Sequence, residues 1–397
     1  MTRLLIFAPN YLPATRYGGP VRSAHGLARS LVEAGHGVDV LTTDVDGPDR
    51  LDVPLDKPVE IDNVRVHYCP IAAPRRLYYS PVLARRAADL MPRVDAVHVN
   101  GMFLWPGPHL ARAARRAGKP LVISPRGMLV PEMVVGKSRM LKTAWIALQE
   151  RANLAAATAI HVTSESEADG LRAMGLDLAP VAVIGNGVDM PDTPPEPDEI
   201  AEIWGDVPPG RRVGFLGRLD WTKGADMAIE AAWAHPDAVI RLAGHDQIGL
   251  RATLEPRLTR DDGSLCGAFL GPLDGRHKWA FLAGADVLLA PSVRESFGMS
   301  VAEALAVGTP VIATEGVGAA TLLDRLDNGL VVPRTQVALN EALARLLSDD
   351  NRRDGIGQAA RRLAANDLGW SGIAARMAAL YVEDIGVLSG PAAGGAK

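Results

Sequence analysis

The run Val213-Gly214-Phe215-Leu216-Gly217-Arg218-Leu219-Asp220-Trp221-Thr222-Lys223-Gly224 opens on a short apolar stretch, turns between two glycines and leads into a helical pattern over Ala225 to Ala234. Strand, tight turn and helix in that order are half of a βαβ unit, and the unit recurs along the chain. Downstream, the pattern predicts strands at Ile240 to Ala243, Ala268 to Leu270, Val287 to Ala290, Val311 to Thr314 and Leu330 to Val332, with helices such as Ser300 to Ala306 between them. Upstream, it predicts strands at Leu4 to Ala8, Val38 to Thr42, Ala96 to Val99, Leu121 to Ser124, Ala159 to Thr163 and Val181 to Ile184, and a helix over Val21 to Ala34 stopped by Gly35. The fold class is therefore α/β with parallel sheets.

The two series are separated by a change of texture. Asn186 to Arg212 carries Pro191, Pro194-Pro195, Pro197 and Pro208-Pro209 among acidic residues, which reads as a linker. The 397 residues thus divide into a first domain over 1–187, a linker over 188–211 and a second domain over 212–369, with a Gly/Ala-rich tail over 389–397 expected to fray. Ligands of such sheets bind beyond the carboxyl ends of the strands, so two such domains facing each other make a cleft.

Composition narrows the function. Apolar residues make up 48% and charged residues 22%, the profile of a globular protein with ample core. The longest apolar runs, such as Leu4 to Pro9, fall far short of the ~20 residues that cross a bilayer, and the N-terminus lacks the tripartite pattern of a secretory signal. The expectation is a cytoplasmic protein. Two lone cysteines, Cys69 and Cys266, stand at no metal or redox spacing, and a net charge of -4 argues against nucleic acid as a partner. That average hides an asymmetry: Arg65 to Arg151 holds 15 basic residues against four acidic ones. Interleaved with Tyr78, Tyr79, Trp105, Leu141 and Trp145, this stretch reads either as a solvated arginine-rich face or as a surface for an anionic membrane or a pyrophosphate-linked acceptor.

Three segments carry candidate chemistry. The Gly217 to Gly224 turn presents free N–H groups and the positive end of a helix dipole, and Arg218 and Lys223 add two formal charges, a set suited to a diphosphate. Glu295, just past a strand end, is followed by Phe297-Gly298-Met299 and, eight residues on, by Glu303; carboxylate acceptors with backbone donors suit a hydroxyl-rich ligand. Gly18-Gly19-Pro20 precedes the first helix, where paired glycines let backbone approach a ligand closely. Against these stand a surface turn, a capping pair of glutamates and an ordinary loop. Other patterns fail: Gly136-Lys137-Ser138 lacks the earlier P-loop glycine, Gly316 to Thr321 lacks the third glycine of a dinucleotide fingerprint, and Asp44-Val45-Asp46 reads as a polar turn. No metal site follows from the histidine spacing.

Together these segments resemble glycosyltransferase family 4, the retaining nucleotide-sugar-dependent enzymes of the GT-B fold. The resemblance also rests on Leu31-Val32-Glu33-Ala34-Gly35-His36, Val94 to Val99, Val183-Ile184-Gly185-Asn186-Gly187-Val188-Asp189 and Gly308-Thr309-Pro310-Val311-Ile312-Ala313-Thr314. It implies two facing Rossmann-like domains and a C-terminal helix over 370–388 that crosses back to the first. It implies that Arg218 and Lys223 bind the donor diphosphate, that Glu295 with the N–H groups of Phe297, Gly298 and Met299 holds the donor sugar, and that Glu303 takes the ribose. Pro272 and Leu273 would lie against the base, and Gly18 and Gly19 near the transferring sugar. The family often has a histidine where this chain has Arg126, in Ser124-Pro125-Arg126-Gly127-Met128-Leu129, which makes Arg126 a fourth catalytic candidate and resembles a bacterial surface-polysaccharide branch. Gly244-His245-Asp246-Gln247 replaces the more usual Gly-x-Gly-Pro turn. The implied reaction moves a sugar to an acceptor hydroxyl, on a lipid-linked saccharide of exopolysaccharide, capsule or O-antigen synthesis at the inner membrane face, without cofactor or metal. A nucleotide-sugar epimerase of the same fold and a non-catalytic sugar-binding or scaffolding protein are the alternatives.

Overall fold

The apolar runs of the first half pair into an eight-stranded sheet whose spatial order is Val181–Val183, Ala159–Val162, Leu121–Ser124, Ala96–Asn100, Arg3–Phe7, Gly37–Thr43, Val64–Cys69 and Val59–Ile61. The structure is a computed structural model, and it describes residues 1–135, 138–326 and 330–382. Side chains alternate across this sheet, so Leu5, Phe7, Val97, Val99, Leu121 and Ile123 feed one core while Leu4, Ile6, Val38, Val40, Ala96 and Val122 feed another. Both faces are covered, as a parallel sheet requires.

The helix Gly19–Glu33 carries Pro20 in its first turn and ends before Gly35 in left-handed conformation (φ 87°). It lies against the C-terminal helix Trp370–Tyr381, which packs Trp370, Ile373, Ala374, Met377, Leu380 and Tyr381 onto the same sheet face. Two glycines permit this: a Cβ on Gly26 would fall 2.3 Å, and on Gly187 2.4 Å, from the Trp370 indole. The segment from Trp370 therefore belongs to the first unit, Met1–Gly187, while Val188–Gly369 forms the second. The expected helix beyond residue 382 and the tail over 389–397 lie outside the described residues.

The second unit is a six-stranded, wholly parallel sheet in the order Gly267–Gly271, Val239–Ala243, Arg212–Leu216, Val287–Ala290, Val311–Thr314 and Val331–Val332. This is the doubly wound order, and its direction reverses between Arg212–Leu216 and Val287–Ala290. In the first unit the reversal falls between Arg3–Phe7 and Ala96–Asn100.

Three readings of the sequence are corrected. The stretch 188–211 is not only linker: Pro197–Trp204 is a helix, started by Pro197 and a Glu196/Glu199 capping box, and it buries Trp204 completely in the second unit's core. Prolines signal a loop and also suit a helix's first turn. The first sheet is not all parallel, because Val59–Ile61 pairs antiparallel with Val64–Cys69 across a tight turn at Asp62-Asn63. The Val64–Cys69 strand itself was hidden by Arg65 and His67, which bond to Asp39 on the neighbouring strand. Asp44-Val45-Asp46, read as a polar turn, is instead a buried Asp44 paired with Arg50 and a short strand, Val45–Asp46, that pairs antiparallel with Asp49–Arg50.

Candidate functional site

Both motifs of the second unit leave the sheet at its reversal point. Gly217 to Gly224 follows Arg212–Leu216, and Pro291 to Gly298 follows Val287–Ala290, so the two loops are neighbours by topology. They are also fastened together. The Val293 N–H donates to Thr222 O at 2.7 Å, and Gly224 (φ 73°) lies so close to Pro291 that a Cβ would meet its carbonyl oxygen at 2.4 Å. Each loop ends in a nine-residue helix, Ala225–Trp233 and Met299–Val307.

Here Lys223 and Glu295 meet. Lys223 Nζ is 3.0 Å from Glu295 Oε2, and both side chains are mostly enclosed. The Ser292 hydroxyl donates to the other carboxylate oxygen at 2.7 Å, while Glu295 N–H donates to Gly316 O and Gly318 N–H to Glu295 O. The Gly316 to Thr321 stretch, discarded as a dinucleotide fingerprint, is thus the brace that holds the Glu295 loop. Gly298 at φ 101° starts the following helix, and the N–H groups of Phe297, Gly298 and Met299 donate to no described protein acceptor. An enclosed ion pair beside open helix-N-terminal donors can accept a sugar's hydroxyls and hold an anion at once.

Arg218 stands at the outer edge of this turn, 3.4 Å from Asp220 and close to Gln247, with nearly half its side chain exposed. The segment 244–247 that departs from the family pattern shapes the turn: Gly244 approaches Gly217 O closely, and Leu219 N–H donates to His245 O at 2.9 Å. Glu303, on the first turns of its helix, is buried and bonded to Lys278 Nζ at 2.7 Å. Pro272 and Leu273 follow the edge strand Gly267–Gly271, in the loop that leads to the Lys278 helix, Gly275–Gly284.

In the first unit, Gly18 (φ 65°) caps the Gly19–Glu33 helix after the Arg3–Phe7 strand, and space is open around its α-carbon. Arg126 follows the Leu121–Ser124 strand; its Nε donates to Asn100 Oδ1 at 2.8 Å and Nη1 to Asn186 Oδ1 at 3.1 Å. Behind it runs a buried chain. Tyr381 O–H donates to His98 Nδ1, His98 Nε2–H to Ser124 Oγ, Ser124 O–H to His161 Nδ1, and His161 Nε2–H to Ile184 O. The terminal carbonyl accepts only, which sets every donor in the series. Burial pushes the His161 imidazole down to about 3 and His98 well below its ordinary value, so both stay neutral.

The site residues missed from sequence are those that position others: Asn100, Asn186, Ser292 and Lys278. Asn186 lies within the Val183 to Asp189 segment, whereas a lysine on a helix signals only solvent. The aromatic residues assigned to the basic face are part-buried instead, with Trp105 stacked on His109 and Trp145 Nε1–H bonded to Glu150. Among the described residues no three His, Cys, Asp or Glu side chains cluster as a metal site, and no helix is long and apolar enough to cross a membrane.

The family model for a glycosyl transferase 4-like domain matches residues 18–187, and that for glycosyl transferases group 1 matches residues 198–363. The D-inositol 3-phosphate glycosyltransferase of Xylanimonas cellulosilytica is 32% identical over 249 residues, 58% of this chain and 58% of that protein. The phosphatidyl-myo-inositol mannosyltransferase of Mycolicibacterium smegmatis is 34% identical over 177 residues, 43% of this chain and 45% of its own. The matched stretch thus spans about half the length of these curated relatives. Among solved structures, sucrose-phosphate synthase from Thermosynechococcus elongatus superposes with a TM-score of 0.79 at 21% identity over 98% of this chain and 100% of that one. Anabaena Alr3699/HepE in complex with UDP and glucose gives 0.74 at 20%, over 95% and 98%. Two doubly wound units with the two family domains in order, over most of the chain, are the GT-B architecture, and the chain belongs to the glycosyltransferases of the family 4 type.

Proposed function

We propose that this protein transfers a sugar from a nucleoside diphosphate sugar to an acceptor hydroxyl with retention at the anomeric carbon. The observation that carries the reading is the Lys223–Glu295 pair set between the starts of two helices at the sheet's reversal point. Glu295 and the open N–H groups of residues 297–299 suit the sugar; Lys223, Arg218 and the helix N-termini suit the diphosphate. In the reaction the bond from anomeric carbon to phosphate oxygen breaks, and the acceptor oxygen bonds to the same carbon on the same face. The acceptor's proton passes to the leaving phosphate. The barrier is charge separation, and fixed cations with helix dipoles are placed to stabilise the growing negative charge.

The acceptor we assign is a lipid-linked saccharide at an anionic membrane surface. Support comes from Met133 and Val135 on the helix Pro131–Val135 and from Met140, Leu141 and Leu148 on the helical stretch from Arg139 onward, large apolar side chains left in solvent beside the exposed Arg139 and Arg151. Incubation of the purified protein with UDP-, GDP-, ADP- and dTDP-sugars, a lipid-pyrophosphate saccharide and EDTA tests the whole reading. Product with the α or β configuration of the donor, formed in EDTA, supports it. An inverted product refutes retention, strict metal dependence refutes the cation assignment, and a changed sugar without acceptor identifies an epimerase.

A further inference from the structure

Arg126 occupies the left-handed backbone region at φ 55°, followed by Gly127 at φ 74°. Glycine or asparagine would adopt that conformation with less strain, so the backbone does not account for an arginine here. Its side chain does. Asn100 and Asn186 fix the guanidinium from two directions, and both are neutral acceptors. They use two of its five N–H groups, and no described carboxylate forms an ion pair with it.

The surroundings supply no counter-charge in contact. The Glu167 carboxylate, which acts on Arg126 from nearby, already accepts from Gly127 N–H and from the N–H and hydroxyl of Thr163. The other titratable neighbours, His98, His161 and Tyr381, are buried and neutral. A partly buried guanidinium held by neutral partners, with donors to spare, is costly to maintain unless an anion completes it.

We propose that Arg126, aimed by Asn100 and Asn186, is a receptor for a phosphate group, which takes the free N–H groups side by side. The choice of phosphate over another anion rests on the proposed transfer reaction, whose donor and lipid-linked acceptor both carry it; the existence of an anion site does not.

The experiment is calorimetric titration of the full chain with inorganic pyrophosphate, in an Arg218→Ala/Lys223→Ala background that removes the donor turn's cations. Pyrophosphate binds this variant, and adding Arg126→Asn weakens it by about tenfold or more, the loss expected of one bidentate charge-assisted contact. Asparagine tolerates the left-handed backbone, so the melting temperature holds or rises, whereas loss of a merely structural arginine lowers it. Arg126→Lys, with charge but no fork, falls between. Titration of UDP, ADP and GDP into Arg126→Asn alone then separates the sources. Weaker nucleotide binding assigns the donor's diphosphate; unchanged nucleotide binding with a raised acceptor KM assigns the acceptor's phosphate. No pyrophosphate binding in the double variant, or equal affinity with and without Arg126, overturns the proposal. Should the double variant bind nucleotides like the wild type, the donor-turn reading fails while the Arg126 result stands.

Discussion

Lys278 Nζ lies 2.7 Å from Glu303 Oε1, both side chains are buried, and the ammonium also sits over the Trp279 ring at 4.3 Å from its centroid. Two ions withdrawn from water to face each other are seldom worth more to stability than two well-packed apolar groups. The pair makes sense as a device that holds the Glu303 side chain in one rotamer. Lys278→Met strands a buried carboxylate and lowers unfolding free energy by about 3–5 kcal/mol, whereas Lys278→Met with Glu303→Leu recovers most of that loss. Urea denaturation of the two variants beside wild type checks this. Equal stability of the single and double variants would show that the lysine leaves no stranded charge behind.

Glu295 is tied by Lys223 on one side and the Ser292 hydroxyl on the other, so its substitution separates chemistry from folding. Glu295→Gln keeps the shape and an acceptor oxygen. It lowers the transfer rate by about two orders of magnitude, or ~2.7 kcal/mol of barrier, with a melting temperature within a few degrees of wild type. Lys223→Ala raises the dissociation constant for the nucleoside diphosphate by about tenfold. A Glu295→Gln enzyme with full kcat would remove the glutamate from the reaction.

Why the donor side was readable and its support was not follows from what each residue does. Gly224 and Gly298 leave a mark in sequence because their left-handed, crowded backbone demands glycine, and Lys223 and Glu295 stand at fixed offsets from them. Lys278 and Asn100 come from elements distant in sequence and reach their partners only through the sheet order, which no local pattern encodes. The same limit explains the helix Pro197–Trp204: its prolines spoke for a loop, while the Trp204 burial that makes it part of the core is a tertiary fact. Val64–Cys69 carries no apolar run because Arg65 and His67 interrupt it, and their bonds to Asp39 on the neighbouring strand exist only in the folded sheet.

Glu150 is buried with its carboxyl accepting from Trp145 Nε1–H at 2.9 Å, and burial pushes it up to about 7. The folded-state value lies above the unfolded one, so the folded chain holds a proton that the unfolded chain releases. Its favourable contribution is therefore fully present below about pH 4.5 and is lost as pH rises through about 7. Glu150→Gln, permanently neutral, is more stable than wild type at pH 8 by about 2–3 kcal/mol, and the difference closes by about pH 4.5. Denaturation midpoints across that range decide it; a constant offset would mean the carboxyl is charged in both states.

Leu141 and Leu148 are 74% and 77% exposed, so exchanging them alters the surface and leaves the core intact. If this helical stretch meets a bilayer, each leucine that enters it contributes about 1.5 kcal/mol or more, and each nearby cation, such as Arg139, about 1 kcal/mol at low salt. Leu141→Ser with Leu148→Ser therefore cuts flotation with vesicles of equal parts phosphatidylcholine and phosphatidylglycerol by about a hundredfold, and leaves urea stability within ~0.5 kcal/mol. Arg139→Gln gives a smaller loss that vanishes in high salt, where screening already removes the electrostatic part. Salt weakens the arginine's share and not the leucines', so the two variants respond differently to the same added salt. Wild-type protein that fails to float in low salt, or a serine variant that floats as well as wild type, would end the assignment of this surface to a membrane.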